Sequence, residues 1–116
     1  MHPHAVYLLR GNHEERELQQ TYGFALECEH RIRDGHQVWE EINSVFDMLP
    51  FAAQIVPHTG SSVLVMHGGL GNLRSIEQMA SIPKPLRQPS KHPLASQASY
   101  VCASCPCVCP VYVSPT

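Results

Sequence analysis

The sequence predicts an α/β domain over its first three quarters, followed by a proline-rich tail. Three observations carry that expectation. An apolar run from Ala5 to Leu9 stops abruptly at Arg10-Gly11-Asn12-His13-Glu14. A second run, Val63 to Met66, stops in the same manner at His67-Gly68-Gly69. Between them, Gln37 to Leu49 repeats its apolar residues with the 3.6-residue period of a helix.

Taken in order, Ala5 to Leu9 is continuously apolar, as expected for a strand covered on both faces. Gly11 allows the turn that follows, and Glu14 to Gln20 is polar and helix-favouring. Gly23-Phe24 punctuates, Ala25 to Arg33 forms a further helical piece, and Asp34-Gly35 signals a turn. In the helix Gln37 to Leu49, the residues Val38, Ile42, Val45, Phe46 and Leu49 make one apolar face, with Glu40, Glu41, Asn43, Ser44 and Asp47 on the others. Pro50 marks its end, because a proline pushes the preceding residue out of the helical region. Phe51 to Val56 reads as a strand, Pro57 to Ser62 as a loop and Val63 to Met66 as the return strand. Ser75 and Gln78 have the spacing of a capping box and open a short helix through Ile76, Met79 and Ile82.

A chain of 116 residues has room for one small domain. Its net charge of −2 provides no polyelectrolyte attraction to nucleic acid or acidic lipid. No apolar run approaches the roughly 18 residues that a bilayer-spanning helix needs, and the N-terminus lacks the pattern of a secretory signal. Nucleic acid and membrane are therefore not the expected partners. From Pro83 onward, seven prolines with intervening serines leave little periodicity, so order is expected to end near Leu86. This divides the chain into a folded part, residues 1–86, and a disordered tail, residues 87–116. Cys28 stands alone, whereas Cys102, Cys105, Cys107 and Cys109 crowd together in the tail. Four thiolates can hold zinc tetrahedrally, but the spacing is tighter than in most zinc knuckles, and unstructured sequence is the other reading.

An asparagine carbonyl and a neutral imidazole are both acceptable ligands for divalent first-row metals. Asn12 alone would pass for a turn residue, and His13 or His67 alone for a structural histidine. Placed at the ends of two apolar strands, with glycines that let a phosphate or metal approach, they point to a metal-dependent hydrolase. His2, His4, His30, His36, His58 and His92 are scattered and read as surface residues, and Trp39 as a core or edge anchor.

Leu8-Leu9-Arg10-Gly11-Asn12-His13-Glu14, Tyr22-Gly23-Phe24, Glu27-Cys28, Trp39, Phe46, Leu49-Pro50, Ala52-Ala53, Met66-His67-Gly68-Gly69-Leu70 and Ile76-Glu77-Gln78 fall in one order and at one set of intervals. In these residues the chain resembles the phosphoprotein phosphatase family, the metal-dependent serine/threonine phosphatases with a calcineurin-like metallophosphoesterase fold. The stretch Arg33-Asp34-Gly35-His36-Gln37-Val38-Trp39 and Gly71 resemble the Kelch-repeat branch of plants and protists, although no Kelch repeat is present. The resemblance implies a β-sandwich flanked by helices, of which this chain would hold the central part. It implies Asn12 and His67 as ligands of one of two divalent metals (manganese, iron or zinc), and His13 as the general acid. Arg10 and Glu14 would support the loop rather than touch substrate. Phosphoprotein substrates and regulatory subunits would be the partners, in the cytoplasm or nucleus.

The family's motifs Gly-Asp-x-His-Gly and Gly-Asp-x-Val-Asp-Arg-Gly do not occur in this sequence, and Arg87, Lys91 and His92 stand in no matching context. The expectation is therefore a fragment with weak metal binding and little activity alone. The alternative is a non-catalytic interaction module, or regulatory isoform, that keeps part of a phosphatase surface.

Overall fold

The computed structural model describes residues 6–69 and 73–95, and the backbone of 112–113. The cysteine cluster Cys102–Cys109, Ala5, Leu70, Gly71 and most of the expected tail lie outside the described residues.

A 3₁₀ turn at Asn12–Glu14 leads into three helices, α1 (Arg16–Thr21), α2 (Phe24–Arg31) and α3 (Gly35–Phe46). Strands β1 (Ala52–Ile55) and β2 (Val63–Met66) follow, then helix α4 (Ile76–Ala80), a second 3₁₀ turn at Pro89–Lys91 and a two-residue strand β3 (Tyr112–Val113). The sheet is antiparallel in the order β1-β2-β3, with Ala52 opposite Met66 and Leu64 opposite both Gln54 and Tyr112. No helix among the described residues is long and apolar enough to cross a membrane.

Two packing centres result. Phe51, Met66, Leu73, Met79, Ile82 and Ala95 bury one another beneath the sheet, with Leu64, Leu86 and Leu94 packed against them. The other centre joins α1, α2 and α3 and contains Cys28 and Trp39, together with the polar residues Gln19 and Asn43. Gly35 explains how closely α2 and α3 pack: a Cβ there would lie 2.0 Å from the carbonyl oxygen of Cys28. Only glycine can occupy that crossing. Asp34 just before it takes a left-handed φ of 57°, the reversal expected from Asp34-Gly35.

Several elements depart from expectation for identifiable reasons. Residues 6–9 belong to neither helix nor strand, and Val6, Tyr7 and Leu8 are 61%, 72% and 65% exposed, so the expected doubly covered strand does not form. An apolar run becomes a strand only where a neighbour completes its ladder. Among the described residues, the bond from Arg10 N–H to Pro50 O at 2.8 Å makes the only start on one. In α3 the fully buried line runs beside the predicted face, whose Val38, Ile42, Phe46 and Leu49 are half-buried. Gly35, Trp39 and Asn43 are buried at four-residue spacing and Asp47 continues the series, while Val45 on the expected face is 58% exposed. Periodicity counts apolar side chains and misses a face that is buried through hydrogen bonds.

At α4, Ser75 accepts from the Gln78 N–H at 3.3 Å, as a capping box requires. Gln78 Oε1 reaches past Ser75 to the N–H of Arg74 at 2.8 Å. The chain also stays packed beyond the expected boundary at residue 86. Pro89 and Ala95 are buried, the Leu86 N–H donates to Asp47 O at 2.9 Å, and the Ser90 N–H donates to Glu15 Oε1 at 3.2 Å.

Candidate active site

The 3₁₀ turn at Asn12–Glu14 is built by its own neighbours. The Gly11 N–H donates to Glu14 Oε2 at 2.7 Å, closing the turn on itself. Arg10 is buried, and its guanidinium donates to the Glu14 carbonyl at 2.7 Å and to the Leu86 carbonyl at 2.6 Å. Arg10 and Glu14 thus brace this loop. Gly11 has φ −100°, a conformation open to any residue, so it is not needed for the turn. It is needed for room, since a Cβ would stand 2.8 Å from Glu14 Oε2 and 3.0 Å from the His67 ring.

His67 follows the last residue of β2 directly, and Asn12 opens the 3₁₀ turn. These positions are 55 residues apart in sequence, yet His67 Nε2 lies 3.0 Å from Asn12 Oδ1. With the amide oxygen as acceptor, this is the Nε2–H tautomer donating to Asn12. Two donors each about 2.1 Å from an ion, at right angles, stand about 3.0 Å apart. The pair therefore has the spacing of two adjacent corners of one coordination sphere. An ion could enter only after the ring proton moves to Nδ1, so coordination would replace this hydrogen bond rather than add to it. Among the described residues no group of three or more His, Cys, Asp or Glu could complete such a sphere.

His13 lies on the same turn and is exposed, with its ring centroid 5.1 Å from that of Tyr22. It borders an open cleft of about 270 Å³ lined also by Glu14, Gln19, Tyr22, Phe24 and Phe46. Its carbonyl accepts from Gln19 Nε2 at 3.1 Å.

Beneath the loop lies a buried charge cluster. Asp47 closes α3, where its negative charge opposes the helix dipole. Arg16 Nη1 lies 2.9 Å from both of its carboxylate oxygens, and Arg10 lies 3.4 Å from one. Burial pushes the Arg10 guanidinium below its ordinary pKa, and the charges of Asp47 and Glu15 pull the other way. Burial, reinforced by Arg10, lowers Lys84 to about 8, with Asp47 opposing. Lys84 Nζ lies 4.0 Å above the Phe51 ring. Sequence reasoning missed Asp47, Gln19 and Asn43, which it assigned to solvated faces or left unremarked. The four-residue spacing Trp39, Asn43, Asp47 was the available signal.

Residues 1–102 match the calcineurin-like phosphoesterase family, and the chain belongs to it. Its curated relatives are serine/threonine phosphatases, as the motifs implied. It is 41% identical over 86 residues to serine/threonine-protein phosphatase BSL2 of Arabidopsis thaliana, covering 72% of this chain and 8% of that one. It is 38% identical over 94 residues to the serine/threonine-protein phosphatase 6 catalytic subunit of Caenorhabditis elegans, covering 80% and 27%. With serine/threonine-protein phosphatase PP2A-like PPG1 of Saccharomyces cerevisiae it shares 34% identity over 84 residues, covering 72% and 22%. The chain thus spans about a quarter or less of the length of these relatives.

Proposed function

We propose that this chain is the central part of a protein serine/threonine phosphatase catalytic domain, with half of a metal site and the proton donor. The observation that carries the reading is the 3.0 Å approach of His67 Nε2 to Asn12 Oδ1, with His13 on the same turn. Asn12 and His67 would hold one divalent ion, manganese, iron or zinc, at two adjacent positions. When bound, such an ion supplies Lewis-acid polarisation of a phosphoryl oxygen and lowers the pKa of a bound water. His13, as imidazolium, would deliver its proton to the departing serine or threonine oxygen, an alkoxide too basic to leave unaided. Gly68 and Gly69, next in sequence, carry no side chain that would block a phosphate beside His67. Phosphoprotein substrates, regulatory subunits and a cytoplasmic or nuclear setting follow from the same reading.

Two neutral donors without a carboxylate bind a divalent ion weakly, so the isolated chain is expected to turn over little or no substrate. The test is a zinc titration followed by NMR on the intact chain. The His67 ring and Asn12 amide signals should respond together, and either Asn12→Ala or His67→Ala should abolish the response. Zinc that perturbs only other histidines would refute the assignment. An aryl phosphate assay with manganese tests the second half. Turnover lost on His13→Ala would overturn the expected inactivity while supporting the role of His13.

The absence of a group of three or more ligating side chains among the described residues favours a second reading, a non-catalytic interaction module. A chain that ignores zinc and manganese at the Asn12–His67 pair would favour that alternative.

A further inference from the structure

We propose that Gln19 is a positioning residue for His13, locked by α3; the inference rests on the reading of His13 as proton donor. Gln19 is buried on α1, and its Oε1 accepts from Trp39 Nε1–H at 2.7 Å and from Asn43 Nδ2–H at 2.8 Å. Two N–H donors at one end fix which way round the amide lies. The NH₂ end must then face the His13 carbonyl, which it meets at 3.1 Å. Asn43 is itself held by a second bond, from its Nδ2 to the Trp39 carbonyl at 2.9 Å. A buried chain of contacts thus runs from the middle of α3 through α1 to the backbone of one exposed histidine.

The arrangement has a cost that helix packing alone does not explain. Gln19 and Asn43 occupy the interhelical contact where aliphatic side chains would pack without desolvation, and Asn43 Oδ1 is left with no hydrogen-bond partner among the described residues. Buried polar networks of this kind specify one geometry. What needs specifying here is His13. Its exposed imidazole has the Tyr22 ring as its contact, so the direction of the ring depends on where the backbone holds its Cα. Glu14 is fastened by Arg10 and by the Gly11 N–H, which anchors the end of the turn. Gln19 fastens His13 itself.

The test uses the intact chain and Gln19→Glu. The carboxylate keeps an acceptor for Trp39 and Asn43 but turns an oxygen toward the His13 carbonyl. The expected result is a Trp39 indole proton that keeps its hydrogen-bonded shift, with loss of the ring–ring NOE between His13 and Tyr22. Persistence of that NOE in the folded variant would overturn the proposal. If Gln19→Glu does not fold, Gln19→Met, of similar shape and without polar ends, is scored on the same NOE. Its loss with the fold intact supports the proposal, and its retention refutes it. Zinc response at His67 is recorded in parallel and should stay within about two-fold of the parent, a shift of no more than about 0.4 kcal/mol. A parent chain that shows no such response removes the phosphatase reading, and the NOE then still scores the hold of Gln19 on His13 by itself.

Discussion

Replacing Asp47 with alanine should be among the most damaging single changes in the described chain. Its carboxylate is 2.9 Å from Arg16 and 3.4 Å from Arg10, with side-chain exposures of 3%, 16% and 0% respectively. Removing one partner of a buried ion pair costs about 3–5 kcal/mol, because the remaining charge stays buried without its counter-charge. Two features pull the expectation to the lower end. Arg10 keeps the carbonyls of Glu14 and Leu86, and Arg16 can turn toward Glu40, now 3.5 Å away, or toward water. A loss of about 3 kcal/mol is therefore expected, against a stability of about 5–15 kcal/mol for an ordinary domain. Urea unfolding followed by the fluorescence of Trp39, the single tryptophan, measures it. With a slope of about 1–1.5 kcal/mol per molar urea, the midpoint should fall by about 2–3 M. A loss below about 1 kcal/mol would mean that the cluster behaves as a surface pair, and the reasoning from burial would fail.

Gly35→Ala places a methyl 2.0 Å from the Cys28 carbonyl, and because backbone cannot yield as a side chain can, about 3 kcal/mol should be lost in the same urea assay. Gly11→Ala should cost less than about 2 kcal/mol in stability, but it pushes Glu14 and the His67 ring, 2.8 and 3.0 Å from the new methyl. The His67 NMR signals should shift and the zinc response weaken. Lys84, lowered to about 8 in the folded chain from an ordinary 10.5, makes stability rise with pH between those values, since the unfolded chain there binds more protons. That increment is lost as pH falls through 8. Urea midpoints at pH 7.5 and 10 compared between the parent and Lys84→Met should show the slope in the parent alone.

Much of the candidate site was legible in the sequence because it depends on covalent neighbours. Asn12, His13 and Glu14 share one turn, and His67 ends a strand whose bounds, Val63–Met66, were read correctly from its apolar run. The approach of Asn12 to His67 was inferred from family resemblance, since no local pattern encodes a contact across 55 residues. What stayed hidden is the polar interior. Asp47, Asn43 and Gln19 have the composition of a solvated face, and only their partners in space show that they are buried. The strand at residues 6–9 failed for the converse reason. Apolar character was present, but pairing and cover are properties of neighbours, and an apolar run cannot supply its own. The segment 87–95 was read as tail from its prolines, yet Pro89 begins a 3₁₀ turn where its fixed φ is an advantage.

The fastening of Leu86 to Arg10 and of Ser90 to Glu15 has a practical corollary for anyone trimming the polypeptide. A cut placed after residue 86, where sequence composition changes, would remove Ala95 from beneath the sheet and strip Glu15 of one of its donors. The histidine-bearing turn would then rest on a loosened floor. Expression boundaries drawn beyond Ala95 keep that floor in place, and limited proteolysis should find the stretch between Leu86 and Ala95 more resistant than its prolines, serine and basic residues would lead one to expect.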